Sequence, residues 1–511
     1  MTALPDGPKR LPAARRFYSS PGARASLGIV IVLLGAALRF HALGQSGRFH
    51  ADEALFSTFA RAAALNGQWL FPGPLDKPPL ALYASALSMA LLVDSEKPVN
   101  LPDLSPRTGE FAARLPGTLA GILMMPLAYA LARSLYAADR ATALTALALT
   151  SFSPYAIAFA ATAFTDSLML PLVALALFAA ARSRWAMAGV ALGLGFLAKQ
   201  QALLALPLVA GIGWAADDRP FWPRVMRLIA PVAGAAALLF IWDGARGQPD
   251  GVWVLAAANN DPWRLLRAEE VWPRLAAWLQ HGAWLLGPPA VTALLLATGL
   301  LSVIARRQHT NRQRLFDLVA LTYALAYVLL HWLVAFNTYE RYLLLILPPA
   351  ALLSARGVSW LVDRARWPAL LPAGRWLVAL LLSTGLIAGG VAAASRGGPL
   401  ENARHRQAGI DELAAFLESR SPGAIVYDPW LGWELGYYLG QWTDKRRVYY
   451  PSPAELAAGA LQQPDPAPRY FVAPAWQPHR HWLEALHEAG FTISAVYDDT
   501  RFVAYELLPP F

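Results

Sequence analysis

Residues 48–87, RFHADEALFSTFARAAALNGQWLFPGPLDKPPLALYASAL, combine acids and a lysine with sequence that is otherwise mostly apolar. Asp52 and Glu53 stand together at the start of one amphipathic stretch, and Asp76 and Lys77 precede two prolines at the start of the next. A positioned carboxylate can accept a proton from a hydroxyl, and a fixed cation can stabilise a developing negative charge. These residue types therefore indicate a site for acid–base and anion-binding chemistry.

The composition places these residues in a membrane protein. Of the 511 residues, 56% are hydrophobic and 15% are charged, whereas about a quarter of the residues in soluble domains are charged. Apolar runs such as ASLGIVIVLLGAALRFHAL and RWLVALLLSTGLIAGGVAAA are long enough to cross a hydrocarbon core of roughly 30 Å as helices. A transmembrane β-barrel would show short alternating segments instead. The sequence therefore predicts a polytopic α-helical membrane protein.

Charge and cysteine content exclude several other kinds of protein. The formal net charge is +9, but the basic residues cluster in loops between apolar segments, which favours membrane topology over nucleic-acid binding. There are no cysteines, so disulfides, thiolate metal sites and a cysteine nucleophile are excluded. Membrane lipid is an expected partner, and nucleic acid is not.

The apolar segments and their flanking charges predict a topology. Eleven membrane helices are predicted, at residues 27–43, 111–132, 141–158, 167–181, 185–198, 202–216, 228–243, 283–304, 315–335, 342–355 and 376–394. With a cytoplasmic N-terminus, each cytoplasmic loop carries at least two arginines, as the positive-inside rule requires. These are Arg133 and Arg140; Arg182 and Arg184; Arg219, Arg224 and Arg227; Arg306, Arg307, Arg312 and Arg314; and Arg356, Arg364, Arg366 and Arg375.

This topology divides the chain into three parts. Residues 1–26 are predicted to lie in the cytoplasm, residues 27–394 to form the membrane domain with a first outer loop at 44–110, and residues 395–511 to lie outside. The expected location is the cytoplasmic (inner) membrane, with several crossings. The active site and the last part of the chain are expected on the extracytoplasmic side.

The same topology places the unusual polar residues at one face of the membrane. Beyond the first outer loop, these are Asp166 after the third helix, Lys199 after the fifth, His281 at the end of a long loop, and the segment NTYERY at 337–342. Charges near the membrane interior cost about 2.5–3.5 kcal/mol each, so they tend to be functional. We therefore expect one outward-facing site.

Two helices are predicted within the first outer loop. HADEALFSTFARAAALNGQW places Leu55, Phe56 and Phe59 along one side of a helix that is expected to lie on the membrane surface. DKPPLALYASALSMALLV predicts a second helix that begins at its prolines. Together they would hold the acids and Lys77 close to the membrane.

The last hundred residues have the composition of a small α/β domain. AIVYD, RVYY, RYFVAPA and TISAVYDDTRFVAYEL are rich in strand-forming residues, while DELAAFLESR, PAELAAGALQ and RHWLEALHEAG have helical spacing. Such alternation predicts a sheet that is partly parallel. The segment has no glycine-rich phosphate loop and no nucleophile elbow, so we expect it to have a structural or acceptor-gating role.

A series of motifs gives the chain a resemblance to a known family. The acidic pair after the first helix and the acid-Lys-Pro-Pro segment are followed by AARLPG, TD, a lysine in LAKQ, and RYLLLILPPAALLSA. In order and spacing, over roughly residues 27–360, the series resembles the membrane glycosyltransferases of the protein O-mannosyltransferase superfamily, with the bacterial lipid A aminoarabinose transferases as close relatives. LAKQ lacks the family's following glycine, and Leu55 and Phe56 stand where Arg and Tyr are common.

The resemblance implies a GT-C fold, about eleven transmembrane helices, and inverting transfer of a sugar from a polyprenyl-phosphate donor on the outer face. It assigns roles to the candidate residues. Asp52 would be the catalytic base, with Glu53 as its companion, and Asp76 and His281 would be the ligands if the enzyme uses a divalent metal rather than no cofactor. The donor phosphate would be bound by Lys77, Lys199, Arg341 and Tyr342, and the substrate by Asp166 and Tyr339.

Each candidate also has a structural alternative. Asp52 could cap a helix that begins at Glu53, and Lys77 could extend to the membrane interface as an ordinary lysine. Asp166 could cap the fourth helix, Lys199 could be an ordinary interfacial lysine, and the Arg341–Tyr342 pair could anchor the tenth helix. A lone interfacial histidine such as His281 is more often structural than a metal ligand.

Three functions follow from these observations. The leading one is a glycosyltransferase that uses a polyprenyl-phosphate-linked sugar and an acceptor hydroxyl on a glycan, a lipid or a protein. The alternative is a transporter or flippase of a lipid-linked glycan, for which internal repeats with broken helices would be expected. A membrane scaffold is the third, but it would give the clustered Asp, Lys and Arg residues no purpose.

Overall fold

A computed structural model describes residues 21–45, 47–93, 103–137, 139–261, 264–305, 310–364 and 372–510. The α-helices of the region before residue 397 are α1 Pro21–Gly44, α2 Ala51–Asn66, α3 Leu80–Ala90, α4 Pro106–Leu135, α5 Arg140–Phe152, α6 Pro154–Ala160, α7 Asp166–Ala181, α8 Trp185–Ala198, α9 Leu206–Ala216, α10 Phe221–Ala245, α11 Val252–Asn260, α12 Val271–Gly282, α13 Pro289–Ala305, α14 Asn311–Leu333, α15 Leu347–Arg364 and α16 Pro372–Arg396. The 3₁₀ helices Gln200–Ala205 and Glu340–Ile346 lead into α9 and α15.

The predicted membrane segments differ in helix length. Among the described residues, six helices are long and apolar enough, and α5 with α6 makes a seventh if the pair, bent by 50°, is one span. All eleven predicted segments are helical, but α7, α8, α9 and α13 have only 16, 14, 11 and 17 residues. At 1.5 Å per residue such helices are roughly 17–26 Å long, shorter than a core of about 30 Å. The predicted segments are therefore present as helices, and four of these α-helices are shorter than a full crossing.

The bend between α5 and α6 is stabilised by a buried arginine of α1. Pro154 has no N–H, so the α5 carbonyls just before the break lose helical partners in apolar surroundings, where each needs another donor. Arg39 is fully buried, and its guanidinium donates to the carbonyl oxygens of Thr150 (3.1 Å) and Ser151 (3.0 Å). This arginine therefore satisfies the backbone at a break that directly precedes the Asp166 segment.

Helix α2 is present as predicted and is covered by other parts of the chain. Its apolar side is buried through Phe56 and Phe59, and Arg61 on another side is only 5% exposed. The last part of the chain covers this helix: Arg61 donates to the carbonyl of Tyr437 (3.1 Å), and the ring of Phe59 lies 5.6 Å from that of Trp433.

The C-terminal part is the predicted small α/β domain with a partly parallel sheet. Its elements are α17 Glu401–Arg406, α18 Ile410–Glu418, β1 Ile425–Tyr427, α19 Gly432–Leu439, β2 Arg446–Val448, α20 Pro453–Gln462, β3 Arg469–Pro474, α21 Arg480–Glu488, β4 Thr492–Asp498 and β5 Phe502–Leu508. The sheet order is β2-β1-β3-β5-β4, in which β1 is parallel to both neighbours and β5 is antiparallel to both of its own. Helix α19 was not predicted, and it is the one that packs on α2.

Polar contacts fix this domain beside the first outer loop. Arg48 forms an ion pair with Glu110 (2.8 Å), which accepts a hydrogen bond from Tyr438. The Tyr438 hydroxyl in turn accepts from the backbone N–H of Phe49 (2.7 Å). The domain and the start of α2 therefore lie at the same end of the helical bundle.

Part of the predicted charge pattern lies outside the described residues. This holds for the segment 1–20 and for Arg306, Arg307 and Arg366. At the end of the bundle away from α2, Arg356 pairs with Asp139 (3.4 Å) and Asp317 (3.6 Å).

Candidate active site

The first turn of α2 positions the acidic pair. The helix begins at Ala51, and the N-cap is His50, whose Nδ1 accepts from the backbone N–H of Asp52 (3.2 Å). The Glu53 carboxylate accepts from the backbone N–H of His50 (3.2 Å), which completes a capping box. The alternative that Asp52 is only an N-cap is therefore wrong, and its side chain is left to point away from the helix end.

Glu53 is held by the protein on both of its oxygens. It receives two hydrogen bonds from the guanidinium of Arg114, at 2.8 and 3.0 Å, and one from the backbone N–H of Ala163 at 2.9 Å. The side chains of Glu53 and Arg114 are 5% and 3% exposed. Burial raises the pKa of Glu53, but the charge and hydrogen bonds of Arg114 outweigh it, so the pKa lies below its ordinary value. Glu53 ties α2 to α4 as a carboxylate.

Asp52 has a different environment. Its carboxylate pairs with Arg341 at 2.5 Å, yet its side chain is 34% exposed. Burial raises the pKa of Asp52, but the charges of Arg341, His50 and Lys77 outweigh it and leave the pKa below its ordinary value. Asp52 is therefore an accessible carboxylate that a single arginine holds.

Arg341 occupies a slot between two aromatic rings. Its guanidinium lies 4.7 Å from the ring centre of Phe164 and 4.6 Å from that of Tyr339. The side chain is 10% exposed, and its Nε has no hydrogen-bond partner among the described residues. Cation–π contacts of this kind orient a guanidinium without using its hydrogen-bond donors. Arg341 therefore retains donors for an anion.

The two predicted lysines are each paired with a predicted acid. Lys77 donates to Asp76, which also accepts from Asn259 (3.1 Å). Lys199 donates to Asp166 at 2.7 Å, and its ammonium lies 5.0 Å from the centre of the Tyr342 ring. Both lysines line one cavity.

This cavity, called the lysine cavity below, has a volume of 530 Å³. Its walls are Lys77, Lys199, Gln200, Gln201, Leu204, Trp253, Ala256, Ala257, Asn260, His331, Phe336 and Tyr342. Leu204 also lines an apolar groove of 650 Å³ between α9 and α14, whose far end reaches Trp214 and Leu315. A charged end and an apolar groove thus adjoin each other, as a ligand with an anionic head and a long hydrocarbon chain requires.

A second and much smaller space is bordered by Arg341. It has a volume of 40 Å³ and is called the arginine chamber below. Its walls are Arg48, His50, Glu53, Arg114, Ala161, Thr162, Phe164, Tyr339, Glu340, Arg341 and Leu400. Arg341 therefore borders the chamber, while its neighbour Tyr342 borders the lysine cavity.

Several wall residues of the lysine cavity were missed from the sequence. Gln200 and Gln201 directly follow the predicted lysine, and Asn260 accepts a hydrogen bond from the hydroxyl of Tyr342 (3.0 Å). His331 gave a usable signal, because an ionisable residue within an apolar helix is by default a functional candidate. Trp253 gave none, since tryptophans near membrane interfaces are common.

The candidate metal ligands Asp76 and His281 have separate partners. Asp76 contacts Lys77 and Asn259, whereas the His281 ring lies 6.1 Å from that of Trp278 and its carbonyl accepts from Tyr155 (2.7 Å). Within the described ranges, no group of three or more His, Cys, Asp or Glu residues could hold a metal ion. The geometry therefore offers no support for a metal at this pair.

The architecture defines a class of membrane protein. The structure is similar to ArnT from Cupriavidus metallidurans bound to undecaprenyl phosphate, with a TM-score of 0.62 and 16% identity over 94% of this chain and 97% of that one. It is also similar to the archaeal oligosaccharyltransferase AglB from Archaeoglobus fulgidus, with a TM-score of 0.52 and 12% identity over 97% and 74% of the two chains. The chain therefore has the predicted GT-C fold, with a small C-terminal sheet domain.

Sequence comparison gives the particular relatives. Residues 106–243 match the family model for dolichyl-phosphate-mannose-protein mannosyltransferase. The chain is 30% identical to the undecaprenyl phosphate-α-4-amino-4-deoxy-L-arabinose arabinosyl transferase of Pseudomonas aeruginosa, over 53% of this chain and 49% of that protein. It is 27% identical to the Edwardsiella ictaluri protein of the same name, over 45% and 38%. Each of these matches covers half or less of the relative's own length. The predicted resemblance to this superfamily is confirmed by the sequence and structure matches together.

Proposed function

We propose that this protein is an inverting glycosyltransferase that moves a sugar from a polyprenyl-phosphate donor to an acceptor hydroxyl. The observation that carries the proposal is a cavity lined by Lys77, Lys199 and Tyr342 that continues into an apolar groove. Arg341, the chain neighbour of Tyr342, pairs with Asp52, and the charge of Lys77 helps to lower the pKa of Asp52. The proteins similar in sequence are named as transferases of an undecaprenyl-phosphate sugar, and one similar structure contains undecaprenyl phosphate. The same site and the C-terminal domain are proposed to lie on the extracytoplasmic side of the cytoplasmic membrane.

The lysine cavity is the proposed place for the donor phosphate. Lys77 and Lys199 supply cations in a site where little water competes, so they act strongly on charge that builds up on the leaving phosphate. Gln201 and Trp253 each present a buried polar side-chain atom without a partner among the described residues. These atoms are available to the sugar or the phosphate. The apolar groove past Leu204 would take the isoprenoid.

Asp52 is the proposed general base. It removes the proton from the acceptor hydroxyl while the oxygen forms a bond to the anomeric carbon and the bond from that carbon to the phosphate oxygen breaks. The ion pair with Arg341 lowers the basicity of Asp52. If the donor phosphate drew Arg341 towards itself, Asp52 would regain its basicity. The phosphate would then have Arg341 as a charged partner in addition to the two lysines.

The reaction can be tested with an undecaprenyl-phosphate-linked radioactive sugar and purified protein in lipid vesicles. Sugar transfer and released undecaprenyl phosphate should appear together, because the bond between them is broken. Asp52→Asn should reduce transfer by about 10²–10⁴-fold, the usual contribution of a general base. It should still bind undecaprenyl phosphate, since the lysine cavity is unchanged.

Two results would contradict this proposal. Equal transfer by wild type and Asp52→Asn would remove Asp52 as the base. Movement of the intact lipid-linked sugar across the vesicle, with no release of undecaprenyl phosphate, would identify a transporter instead. Glu269→Gln is a matched control, because Glu269 is exposed on a short 3₁₀ turn.

A further inference from the structure

A single tyrosine hydroxyl joins the two 3₁₀ helices that contribute to the walls of the lysine cavity. Tyr327 lies on α14 and is 3% exposed. Its hydroxyl donates to the carbonyl oxygen of Tyr342 (2.7 Å) and lies 2.5 Å from the side-chain nitrogen of Gln201. Gln201 belongs to the 3₁₀ helix Gln200–Ala205, and Tyr342 belongs to Glu340–Ile346. Tyr327 therefore bridges two segments whose residues line one cavity.

The direction of both hydrogen bonds in this bridge follows from the groups involved. A carbonyl oxygen only accepts, so the one hydroxyl proton of Tyr327 goes to Tyr342, and the hydroxyl oxygen accepts from Gln201. Exchanging the amide oxygen and nitrogen of Gln201 would place two acceptors against each other. The Tyr327 hydroxyl has no proton left for a ligand, so its effect on a reaction must pass through these neighbours.

Ring packing holds Tyr327 in place independently of its hydroxyl. Its ring stacks on that of His331, with centres 4.1 Å apart, and lies 5.8 Å from the ring of Tyr323. Nδ1 of His331 donates to the carbonyl oxygen of Tyr327 (3.0 Å), one turn earlier on α14. Since none of these contacts uses the hydroxyl, a phenylalanine at this position would keep the ring where it is.

The two bridged segments carry cations of the candidate site. Lys199 directly precedes the first 3₁₀ helix, and its ammonium lies 5.0 Å from the ring centre of Tyr342. Arg341 precedes Tyr342 in the chain and pairs with Asp52 at 2.5 Å. Hydrogen-bond geometry is poorer in 3₁₀ helices than in α-helices, so contacts from neighbouring elements matter for where such a segment lies. The bridge therefore fixes one cation-bearing segment relative to the other.

Resting on the proposed function, we propose that Tyr327 is a positioning residue whose hydroxyl holds the segment of Arg341 and Tyr342 in place beside that of Lys199. Cations stabilise the charge on a leaving phosphate most when they are already in place. A misplacement of about 1 Å can cost about 10²-fold in rate. The isoprenoid would bind in the apolar groove, which the bridge does not form. Loss of the hydroxyl should therefore slow transfer more than it weakens donor binding.

The test removes the hydroxyl and keeps the ring. With an undecaprenyl-phosphate-linked radioactive sugar and purified protein in lipid vesicles, Tyr327→Phe should lower kcat by about tenfold, the effect of one hydrogen bond. The donor KM should stay within about threefold of wild type. Tyr136→Phe is the matched control, because its buried hydroxyl donates to Asp317 of the same helix (2.6 Å) at the other end of the bundle. This control should lose a similar amount of stability and keep the wild-type kcat.

A double-mutant cycle asks whether Tyr327 acts through Arg341. Once Arg341→Lys is present, Tyr327→Phe should lower kcat by less than about twofold, because the group that it positions is gone. If Tyr327→Phe does not fold, Gln201→Leu breaks the other arm of the bridge and should lower kcat with the same dependence on Arg341.

Equal kcat values for Tyr327→Phe and Tyr136→Phe would overturn the assignment, as would a full tenfold loss in both backgrounds. The proposed function fails in a different way: the wild type would then bind undecaprenyl phosphate without transferring sugar, and the role of Tyr327 in transfer would fail with it.

Discussion

The lysine cavity and the arginine chamber differ in size and in charge. The lysine cavity has 530 Å³ and continues into an apolar groove, and its cations are two lysines. The arginine chamber has 40 Å³, and its cations are three arginines that already hold carboxylates. A wide space that continues into an apolar groove suits a lipid, whereas the walls of the small one carry ion-paired residues that tie α2 and the segment before it to other parts of the chain.

The difference also separates two kinds of charged residue. Lysine is a compact point charge on a flexible stem, and it can follow a phosphate during a reaction. Arginine makes fixed two-pronged contacts with carboxylates, as Arg114 does with Glu53. Arg341 borders the chamber, and its chain neighbour Tyr342 borders the lysine cavity.

The largest effect on stability is expected at Glu53. Glu53→Gln leaves the charge of Arg114 buried and unpaired, which costs about 3–5 kcal/mol. Asp52→Asn should change the free energy of unfolding little, because Asp52 is one-third exposed. Denaturant unfolding of both variants in the same detergent measures the contrast. If Glu53→Gln were as stable as wild type but inactive, Glu53 would belong to the chemistry and not to the chamber wall.

A smaller effect is expected where the lysine cavity meets the groove. Leu204→Trp adds bulk at the residue shared by both spaces, and overpacking typically costs 1–3 kcal/mol. The KM should rise by about tenfold for a donor with a full undecaprenyl chain and less for one with a short isoprenoid. Leu194→Trp is the control, since Leu194 is 39% exposed. Equal effects on both donors would mean that the chain does not pass Leu204.

The smallest effect is expected at Glu434 of α19, the helix that packs on α2. Burial raises the pKa of Glu434 to about 8, and the charges of Asp428 and Asp52 add to this. Since its ordinary pKa is 4.5, this group favours the folded state most below that pH, and the contribution is lost as pH rises to about 8. Glu434→Gln should therefore be more stable than wild type at pH 8.5 by at least about 1 kcal/mol, the value of one pKa unit, and should gain less at pH 5.

Thermal unfolding at both pH values measures this difference. Glu488→Gln is the control, because Glu488 is exposed on α21. If Glu434→Gln and wild type differed in stability by the same amount at both pH values, the buried carboxyl would not titrate in this range.

Most secondary structure was predictable from the sequence, because it depends on local patterns. Apolar segments gave the eleven helices, and strand-forming runs gave a sheet of the right kind. Long-range packing was not predictable in this way. Arg61 of α2 contacts Tyr437, 376 positions away, and helix α19, which packs on α2, was missed.

The sequence by itself determined which chemical groups this protein has and that they occur in a helical membrane protein. It also determined which stretches are apolar, since hydropathy depends only on neighbouring residues. Only the tertiary structure decided the pairing of the charges: Asp52 meets Arg341 across 289 positions, and Glu53 meets Arg114 across 61. Adjacent acids therefore received different environments, because each carboxylate's surroundings depend on which distant helix packs against its side of α2.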